Sequence, residues 1–587
     1  MTFIIPGYTT DDKVPGVVAK NEWGAGKRSI GSIPLLCVLY GTMGASGSAV
    51  ENTRYDITTP EEADALFEPR SELARQAHAA LDVSGVALRC VGISSVLGGT
   101  AATYTFDITG SWTTSGELGL QLDEEVIRVA VAASHTPTTF GDACEDAVNQ
   151  AQDGRLFCVA ANTTGRVVLT VFSPGVRGNQ HAAWLDTSLL PSGMVVKADQ
   201  LSDVVKAGSG SGPAITATGS DTVDGLYVLT ISTGGTNSGT AQYTITFNGG
   251  SPSAAAPLPS GNFVLPGHTG ITINAPAGTY VVSNTYTFTG TAALANGGVP
   301  FSGGAGSDDI DDALDATESL TNDYMGLAHN DATNLSKVKS ALNAKAAFDV
   351  GKLEQYVVCV HRGLTAGIAI GQTAMNDQLG TCVWPQNHVE HPSRTAARVA
   401  ALFSVTDGAQ PNTNYDDVTV PGAAAHKVDA DTPNRATLKS ALNNSLTPLI
   451  TVDGELKIVR AICSRSLSGA TPDYRTYDHG DVAVPIRVRK ELVALGQLAK
   501  ANNPFDGPDV EEGLPPPGTF TPRLWDAQVN AQLQEWESER FNWLQDVATN
   551  PSQSVWDSNA KRTMSLVPTI AKHQFHQLGI LVRQTAA

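Results

Sequence analysis

The chain has 587 residues, and although only 16% of them are charged, acidic residues exceed basic ones enough to give a formal net charge of −20 at pH 7. This length exceeds what one hydrophobic core usually serves, so we expect several domains. The excess of acid argues against binding of free nucleic acid, which needs clustered Lys and Arg to neutralise phosphates. No apolar run reaches the roughly 20 residues that cross a membrane. The N-terminus lacks the basic start and long apolar region of a secretory signal, so we expect synthesis and folding in the cytoplasm.

The first 99 residues predict an extended arm followed by the start of a layered core. Residues 1–32 are polar and glycine-rich and form the predicted N-terminal arm, with Val14-Pro15-Gly16-Val17 as a short extended piece. Residues 33–99 form the predicted first part of the core, with buried strands and two helices that begin at Thr59 and Ser71. Both residues are preferred helix caps, and a proline follows Thr59 at the first helical position.

Two insertions are predicted next. Residues 100–190 alternate strand-like apolar runs with one helix and indicate a compact α+β domain. From Gly225 to Ser307 there is no Asp, Glu, Lys or Arg, and strand-like runs such as Tyr280 to Thr289 are separated by turn residues. This pattern predicts a small antiparallel β-rich domain over residues 191–305. A disordered Gly/Ser-rich segment is the alternative, and the regular alternation of aromatic and β-branched residues favours the domain.

Residues 306–560 predict the second part of the core. Ser307, followed by aspartates, predicts a helix start, and Ser393 predicts another. Tyr356 to Val360 and Lys457 to Cys463 predict strands, which are rich in β-branched residues. A long helix is predicted from Leu524 to Ala548. Its packing stripe comprises Trp525, Val529, Leu533, Trp536, Trp543 and Val547.

Residues 561–587 form the predicted C-terminal arm. Its β-prone residues are Leu566, Val567, Thr569, Ile570, Ile580, Leu581 and Val582. A terminal strand without a partner in its own chain is an adhesive edge, so the two arms predict strand exchange between subunits. The polar segments Lys20 to Ser32 and Asn550 to Lys561 are candidate hinges. The whole pattern predicts an α/β (mixed α+β) multidomain protein.

The seven cysteines are widely spaced and form no Cys-x-x-Cys pair; they are Cys37, Cys90, Cys144, Cys158, Cys359, Cys382 and Cys463. Several lie within apolar runs, which favours small buried side chains. Disulfide formation after the protein leaves the cell is the alternative, and the odd number would leave one thiol for a partner chain.

Signatures of an enzyme or a metal site are weak. Gly24-Ala25-Gly26-Lys27-Arg28 lacks the first glycine and the final Ser or Thr of a phosphate-binding loop. Cys382, His388, Glu390 and His391 have side chains that could in principle ligate a metal, but solvated loop histidines are the more common case, and the same holds for His573 and His576. We therefore predict no catalytic residue, no cofactor and no metal.

Taken in order, several segments resemble the tail sheath proteins of contractile phages, in particular the Mu-like branch. The resembling segments are Val14 to Val17, Pro34 to Gly41, Leu66-Phe67 with Ser71 to Ala74, Pro174 to Asn179, Gly303 to Leu314, and Leu456 to Ile462. The likeness extends along most of the chain and depends on the order of these motifs together with the two terminal arms.

This resemblance implies a structural subunit of a contractile tail sheath. Such subunits stack as rings, usually hexameric, around a tail tube, and their terminal arms add strands to sheets of neighbouring subunits. Contraction of the lattice drives the tube through a cell envelope. The implied partners are further copies of the chain, the tail tube, the baseplate and the tail terminator, with no direct nucleic-acid contact, and the implied location is the virion.

Three alternatives remain. The first is the sheath of a phage-like injection or secretion system, whose subunits would assemble through the same kinds of contact. A β-rich adhesion or receptor-binding protein would explain the charge-free middle but not the core and arms. An α/β enzyme would explain the core alone, without a catalytic constellation to support it.

Overall fold

The computed structural model describes residues 35–572, apart from 96–97, 203, 209–211, 220–222, 295, 348–349, 474, 504, 511–514, 539–540 and 560. The predicted N-terminal arm with Val14 to Val17, the segment Gly24 to Arg28 and the residues Ile580, Leu581 and Val582 lie outside the described residues, as do His573 and His576.

A nine-stranded sheet, which we call the core sheet, is built from two distant parts of the chain. Its strands in spatial order are Arg54–Ile57, Ala87–Ile93, Leu36–Thr42, Tyr324–Leu327, Gln355–Cys359, Gly380–Pro385, Thr447–Val452, Glu455–Ile458 and Val418–Thr419. The strands from Ala87–Ile93 to Thr447–Val452 run parallel, whereas those at both ends run antiparallel to their neighbours. The parallel strands are covered on both faces, which explains their continuous apolar sequences.

Alternate residues of these strands enter two separate cores. Cys37 and Leu39 face helices Glu72–Leu81 and Pro392–Ala409. Val38 and Tyr40 lie on the opposite face of the sheet, which helix Ala332–Lys345 covers. This division follows from the two-residue period of a strand. The other helices of this part of the chain are Pro60–Phe67, Asp311–Ala316, Leu364–Ile368 with its π-helical continuation Ala369–Met375, and Arg435–Asn443.

Residues between the two halves of the core sheet form two antiparallel sheets and one helix around a common core. One sheet has the order Met194–Asp199, Thr103–Gly110, Arg166–Val171, Cys158–Thr163, and the other Val299–Pro300, Ala182–Asp186, Gly116–Leu122, Glu125–Val131. Helix Pro137–Gln150 completes this core. We call these elements the inserted sheets.

A β sandwich follows within the same insertion. Its five-stranded sheet has the order Val205–Ala207, Thr285–Gly290, Gly225–Thr233, Gln242–Phe247, Ala256–Pro257, and its three-stranded sheet the order Thr216–Gly219, His268–Ala275, Gly261–Leu265. A short pair, Gly235–Thr236 with Thr279–Tyr280, adds to it. One apolar cluster fills the space between the sheets.

The C-terminal part packs two helices, Gly480–Asn502 and Pro522–Glu537, around a tryptophan-rich cluster. A hairpin of Gln553–Asp557 and Arg562–Leu566, which we call the terminal hairpin, lies against the second helix. Two short strand pairs complete the described strands, Leu467–Ser468 with Thr471–Pro472 and Phe505–Asp506 with Thr519–Phe520.

The predicted fold class, a mixed α+β multidomain protein, is confirmed. The predicted helix starts at Thr59 and Ser71 are also confirmed, because each side chain accepts a hydrogen bond from the backbone of the first turn. No helix among the described residues has the length and apolar character of a membrane span.

Two predicted helix starts are wrong. His391, not Ser393, caps helix Pro392–Ala409, because its imidazole accepts from the backbone N–H of Ser393 and Pro392 suits the first helical position. The helix predicted from Ser307 begins only at Asp311, because Asp308 is held outside the helix by ionic contacts described below.

The long helix predicted from Leu524 to Ala548 is also wrong in extent. It ends at Glu537, and the chain reverses through Asn542, whose φ is 47°, so that the Trp543 N–H donates to the Trp536 carbonyl. Trp543 and Val547 still join the predicted cluster, but from the returning chain.

Three further expectations need correction. The strand predicted over Lys457 to Cys463 ends at Ile458, and the one predicted over Tyr280 to Thr289 is split into Thr279–Tyr280 and Thr285–Gly290. The middle of the candidate hinge Asn550 to Lys561 is the regular strand Gln553–Asp557.

Leu533 is fully buried in the C-terminal cluster, so Leu533→Ala should lower the free energy of unfolding by about 2–5 kcal/mol. Gln534→Ala, on the exposed side of the same helix, should change it by less than about 0.5 kcal/mol. Urea denaturation followed by tryptophan fluorescence measures both, and equal losses for the two variants would contradict the packing described.

Candidate functional site: a buried charged junction and an open hairpin edge

A cluster of buried and half-buried charged side chains joins the core sheet to the inserted sheets, and we call it the buried junction. Its members are Thr42, Glu72, Arg75, Asp123, Glu124, Arg177, His181, Asp308, His329, His391 and Arg394. Helices Glu72–Leu81 and Pro392–Ala409 supply one side, and the turn at Asp123 with the segment Val176–Gln180 supplies the other.

Arg177 is the centre of the buried junction. Its guanidinium donates to Glu72, at 2.8 Å between Nη2 and Oε2, and also to Asp308 and the Thr42 hydroxyl. Asp308 in turn accepts from Thr42 at 2.9 Å and lies 3.1 Å from Nε2 of His329. Gly175 positions this segment with a φ of 125°, a conformation that residues with a side chain rarely adopt.

Three of the segments that resemble sheath proteins contact one another at this point, and a fourth ends directly beside it. Arg177 lies in the segment Pro174–Asn179. Glu72 lies in the segment Ser71–Ala74, and Asp308 lies in the segment Gly303–Leu314. Thr42 directly follows the segment Pro34–Gly41. Segments separated by more than 100 positions, such as those of Arg177 and Glu72, are therefore joined by direct ionic contacts.

A second group of charges surrounds Asp123, which lies at the turn between two inserted strands. Its carboxylate lies 2.6 Å from Nδ1 of His181 and accepts the backbone N–H of Ala182, and Arg75 lies 4.0 Å away. The neighbouring Glu124 pairs with Arg75 and with Arg394 of the core helix. The tip of an inserted hairpin is thus held by two arginines of the core.

Stacked rings fill the space between these charges. The ring of His181 lies 3.8 Å from that of Phe157 and 4.2 Å from that of His391, both nearly parallel to it. His391 Nε2 is 3.4 Å from the carbonyl oxygen of Arg177, and its Nδ1 accepts a hydrogen bond from the backbone N–H of Ser393. This arrangement uses His391 as a neutral imidazole with one donor and one acceptor nitrogen.

The pKa values follow from burial and pairing. Burial opposes ionisation of Glu72, but the Arg177 guanidinium outweighs it and holds the pKa of that carboxyl at about 2. Against the same burial, Arg177 and His329 hold the pKa of Asp308 well below its usual range. Burial, together with the adjacent His181, lowers the pKa of His391 to about 3. Glu72 and Asp308 are therefore charged and His391 is neutral near pH 7.

The buried junction is built for positioning. A cavity of about 20 Å³ lies among Arg75, Arg177 and His391, which is space for about one water molecule. The guanidinium of Arg177 already contacts two carboxylates, so it is committed to its own chain. The arrangement fixes the inserted sheets on the core sheet.

The terminal hairpin forms a second candidate site because one of its outer edges is covered and the other is covered only in part. The N–H groups of Ser552 and Ser554 donate to Asn530 and Asp526 of helix Pro522–Glu537. On the other strand, the Thr563 N–H donates to the Asp506 carboxylate at 3.2 Å.

The register identifies the open part of that edge. Ser554 pairs with Ser565 and Trp556 with Thr563, so the Ser565 N–H points to the same outer side as that of Thr563. Among the described residues, no backbone partner accepts from Ser565 on this side. The strand Arg562–Leu566 thus presents an edge to which another strand can be added.

The described part of the predicted C-terminal arm lies on its own chain. Leu566 ends the terminal hairpin, Val567 packs on the C-terminal cluster, and the carbonyl of Ile570 accepts from Gln545 at 3.4 Å. Thr569 lies between them. Participation of Leu566, Val567, Thr569 and Ile570 in contacts between subunits stays a prediction.

All seven cysteines are free and buried, in three different apolar clusters. Burial raises the pKa of the Cys144 and Cys382 thiols to about 12, which makes them poor nucleophiles at neutral pH. Disulfide formation by any of them stays a prediction.

The residues considered as metal ligands have separate partners. His388 Nε2 is 2.7 Å from the Ala424 carbonyl oxygen, Glu390 pairs with Arg398 at 2.9 Å, and His391 contacts Ser393. Cys382 lies in the apolar core behind the sheet. No group of three or more potential metal ligands occurs in the part of the chain that the structure describes.

The importance of Arg177, Asp123 and His181 was not predicted. Arg177 is a single basic residue in a glycine-rich turn, and this signal is compatible with an exposed charge. Its partners lie 105 and 131 positions away, so nothing local in the sequence identifies them.

No model of a known protein family matches the chain, and no curated protein sequence matches it. A sheath tail protein from Desulfitobacterium hafniense is similar in structure with a TM-score of 0.40 and 12% identity, over 94% of this chain and 99% of that one. A sheath tail protein from Listeria innocua gives a TM-score of 0.39 and 10% identity, over 92% and 96%.

A chain of the anti-feeding prophage baseplate matches with a TM-score of 0.32 and 12% identity, over 47% of this chain and 73% of that one. These likenesses, with TM-scores below 0.5, do not establish a shared fold or membership of a family.

Arg177→Met should lower the free energy of unfolding by about 3–5 kcal/mol, because Glu72 and Asp308 are then buried without their cation. Arg128→Met breaks a solvent-exposed pair with Glu117 and should lower it far less, because exposed ion pairs contribute little to stability. Chemical denaturation measures both. A loss for Arg177→Met no larger than that for Arg128→Met would show that the buried junction is not a stabilising contact.

Stability should fall on mild acidification. The pKa of His391 is about 3 in the folded chain against an ordinary value of 6.5, so below about pH 6.5 the unfolded state binds the proton first. The contribution of Glu72 is present above pH 4.5 and is lost as the pH falls towards about 2. Both groups lower the free energy of unfolding as the pH falls, and the effect of His391 begins at the higher pH.

The test compares the free energy of unfolding of the unmodified chain and of His391→Gln between about pH 7 and pH 5. The variant should show a smaller loss over this range, because Gln does not titrate. Equal slopes for the two proteins would rule out His391 as a source of the pH dependence.

Proposed function

We propose that this chain is a structural subunit of a contractile tail sheath, which polymerises around a tail tube and contracts to drive the tube through a host cell envelope. The observation that carries the proposal is the contact of three sheath-like segments in the ion pairs of Arg177, which also donates to Thr42, the residue that follows a fourth such segment. The segments whose order resembles that of sheath proteins therefore also contact one another in the folded chain, as parts of one structural unit would.

The buried junction supports a subunit that moves as a rigid body. Contraction of a lattice requires that subunits change position relative to one another while each keeps its own shape. Ionic contacts from both core helices to the turn at Asp123 oppose bending between the core sheet and the inserted sheets. On this proposal residues 33–99 and 306–560 form the core, residues 100–190 and 191–305 are inserted domains, and residues 1–32 and 561–587 are arms.

The open edge of the terminal hairpin supports strand exchange. A two-stranded hairpin is marginal by itself, and its Arg562–Leu566 edge has room for a further strand. The proposed donors are the C-terminal arm, residues 561–587, and the N-terminal arm, residues 1–32, of a neighbouring subunit. Main-chain pairing between subunits would persist during contraction, with rotation absorbed where the arms leave the core.

The partners proposed are further copies of the chain in stacked, hexameric rings, the tail tube, the baseplate and the tail terminator. The chain is proposed to act in the virion, without catalysis, cofactor or direct contact with nucleic acid. The sheath of a phage-like injection or secretion system would use the same contacts, and the particle that contains the protein separates the two.

An adhesion or receptor-binding protein is the second candidate, favoured by the β sandwich with its uncharged sequence from Gly225 to Ser307. Binding of the monomeric protein to glycans or cells would favour it. Formation of tubes by the purified protein would not follow from it.

Ser565→Pro should abolish or strongly shorten polymers, because proline removes the N–H that the open edge offers to an added strand. Ser565→Ala keeps that N–H and should polymerise like the unmodified chain. Sedimentation and electron microscopy of the purified proteins measure polymerisation, and circular dichroism checks that both variants fold.

Deletion of Met564 to Ala587 provides a second test of the same edge. The truncated subunit should remain folded and fail to assemble. Normal tubes from the truncated protein, or from folded Ser565→Pro, would refute strand exchange at the terminal hairpin.

A further inference from the structure

Among the described residues, the β sandwich has four sheet edges, of which two are protected against pairing and a third is occupied at one end. In the five-stranded sheet, one edge is the three-residue strand Val205–Ala207, which contains Lys206, and the other is Ala256–Pro257, where proline cannot donate. In the three-stranded sheet, Gly219 of strand Thr216–Gly219 contacts the preceding segment, with its N–H donating to Asp199 and its carbonyl accepting from Gln200.

The fourth edge, strand Gly261–Leu265, lacks such protection along most of its length. It contains neither a charged residue nor a proline, and only a register shift between Val264 and Leu265 disturbs it. Among the described residues, the backbone of Asn262, Phe263 and Val264 pairs with strand His268–Ala275 alone. Val264 is 55% exposed, so an apolar side chain lies at an edge with unused hydrogen-bonding groups.

The charge pattern indicates what can approach this edge. The chain carries a net charge of −20, so copies of it repel one another wherever their acidic surfaces meet. The edge lies within the uncharged sequence from Gly225 to Ser307, and charges more than about 8 Å away are screened at physiological salt. Two copies can therefore meet at this edge without the repulsion that opposes contact elsewhere.

The surface beside the edge is also neutral. Asn262 and Val264 share the outer face of the three-stranded sheet with Thr272, Asn274 and Thr218, which are exposed or half-exposed. A charged partner would find no complementary charge there, whereas the same strand of a second copy offers matching backbone groups and matching neutral side chains.

We propose that strand Gly261–Leu265 pairs antiparallel with the same strand of a second copy of this chain, around a twofold axis near Phe263. Such a contact uses the same patch on both copies. It joins the two three-stranded sheets into one continuous sheet across the axis. This pairing is independent of the proposed sheath function, because a twofold contact cannot repeat between equivalent neighbours in a polar helical lattice.

The pairing joins free subunits or separate assemblies, and it is weak between single copies. A five-residue strand buries far less than the roughly 800 Å² per partner of a stable complex. It gains strength where many copies are displayed together, since linked weak contacts act as a multivalent one.

Hydrogen exchange on the full-length chain tests the pairing locally. The amides of Asn262, Phe263 and Val264 that point away from strand His268–Ala275 should gain protection as the protein concentration rises. Sheath-type polymerisation through the terminal hairpin leaves these amides unprotected, so the two associations are distinguishable by position.

Val264→Lys places two positive charges close together across the axis and should raise the Kd of this association at least about tenfold. Val264→Thr stays neutral and β-branched and should behave like the unmodified chain. Leu226→Lys changes another exposed apolar residue, 41% exposed on the five-stranded sheet, and should also leave the association intact. An equimolar mixture of Val264→Lys and Val264→Glu should restore it.

Analytical ultracentrifugation measures the Kd values, and hydrogen exchange assigns the contact. Exchange at Asn262 to Val264 that is independent of concentration would overturn the proposal. So would a Kd for Val264→Lys equal to that for Val264→Thr, because the association would then use another surface or another partner.

Discussion

The buried pairing of Arg177 with Glu72 and Asp308 is the constraint on which the arrangement of this molecule depends. Removing charges from water costs several kcal/mol per ion, and the cost is recovered only when each charge has its full set of partners. Those partners come from the inserted segment, a core helix and the segment that returns to the core sheet. The full set exists in only one relative position of these three segments. We infer that the ion cluster helps to specify the position of the inserted sheets on the core sheet.

This internal constraint contrasts with the edges of the molecule. Around the buried junction, charged groups, stacked rings and helix caps are committed to the same chain, as the roles of His391 in the cap, the ring stack and the contact with Arg177 illustrate. The terminal hairpin and, independently, strand Gly261–Leu265 instead have outer edges with backbone groups that another strand can pair with. A subunit that is rigid inside and adhesive at its edges has the properties that a polymer of moving subunits needs.

The sequence predicts local features well and distant pairing poorly. Apolar, β-branched runs such as Tyr356 to Val360 predict strands correctly because parallel strands are buried on both faces, and Thr59 and Ser71 are recognised as caps because capping is decided within four residues. Trp543 shows the limit of periodicity, since it lies seven positions after Trp536, as in a helix, yet packs from the returning chain. The contacts of Arg177 depend on chain topology, which local pattern does not encode. The twofold use of an uncharged edge likewise depends on which sandwich edges the fold leaves open.

Electron cryo-microscopy of the purified, unmodified protein tests the central claim most directly. If the chain is a contractile sheath subunit, it should form long striated tubes with helical symmetry, in which the core sheet and the inserted sheets keep the relative position fixed by Arg177 and a strand from a neighbour lies along Arg562–Leu566. Dispersed single particles under all conditions of concentration and salt would contradict the account, and so would tubes in which the terminal hairpin edge is left unpaired.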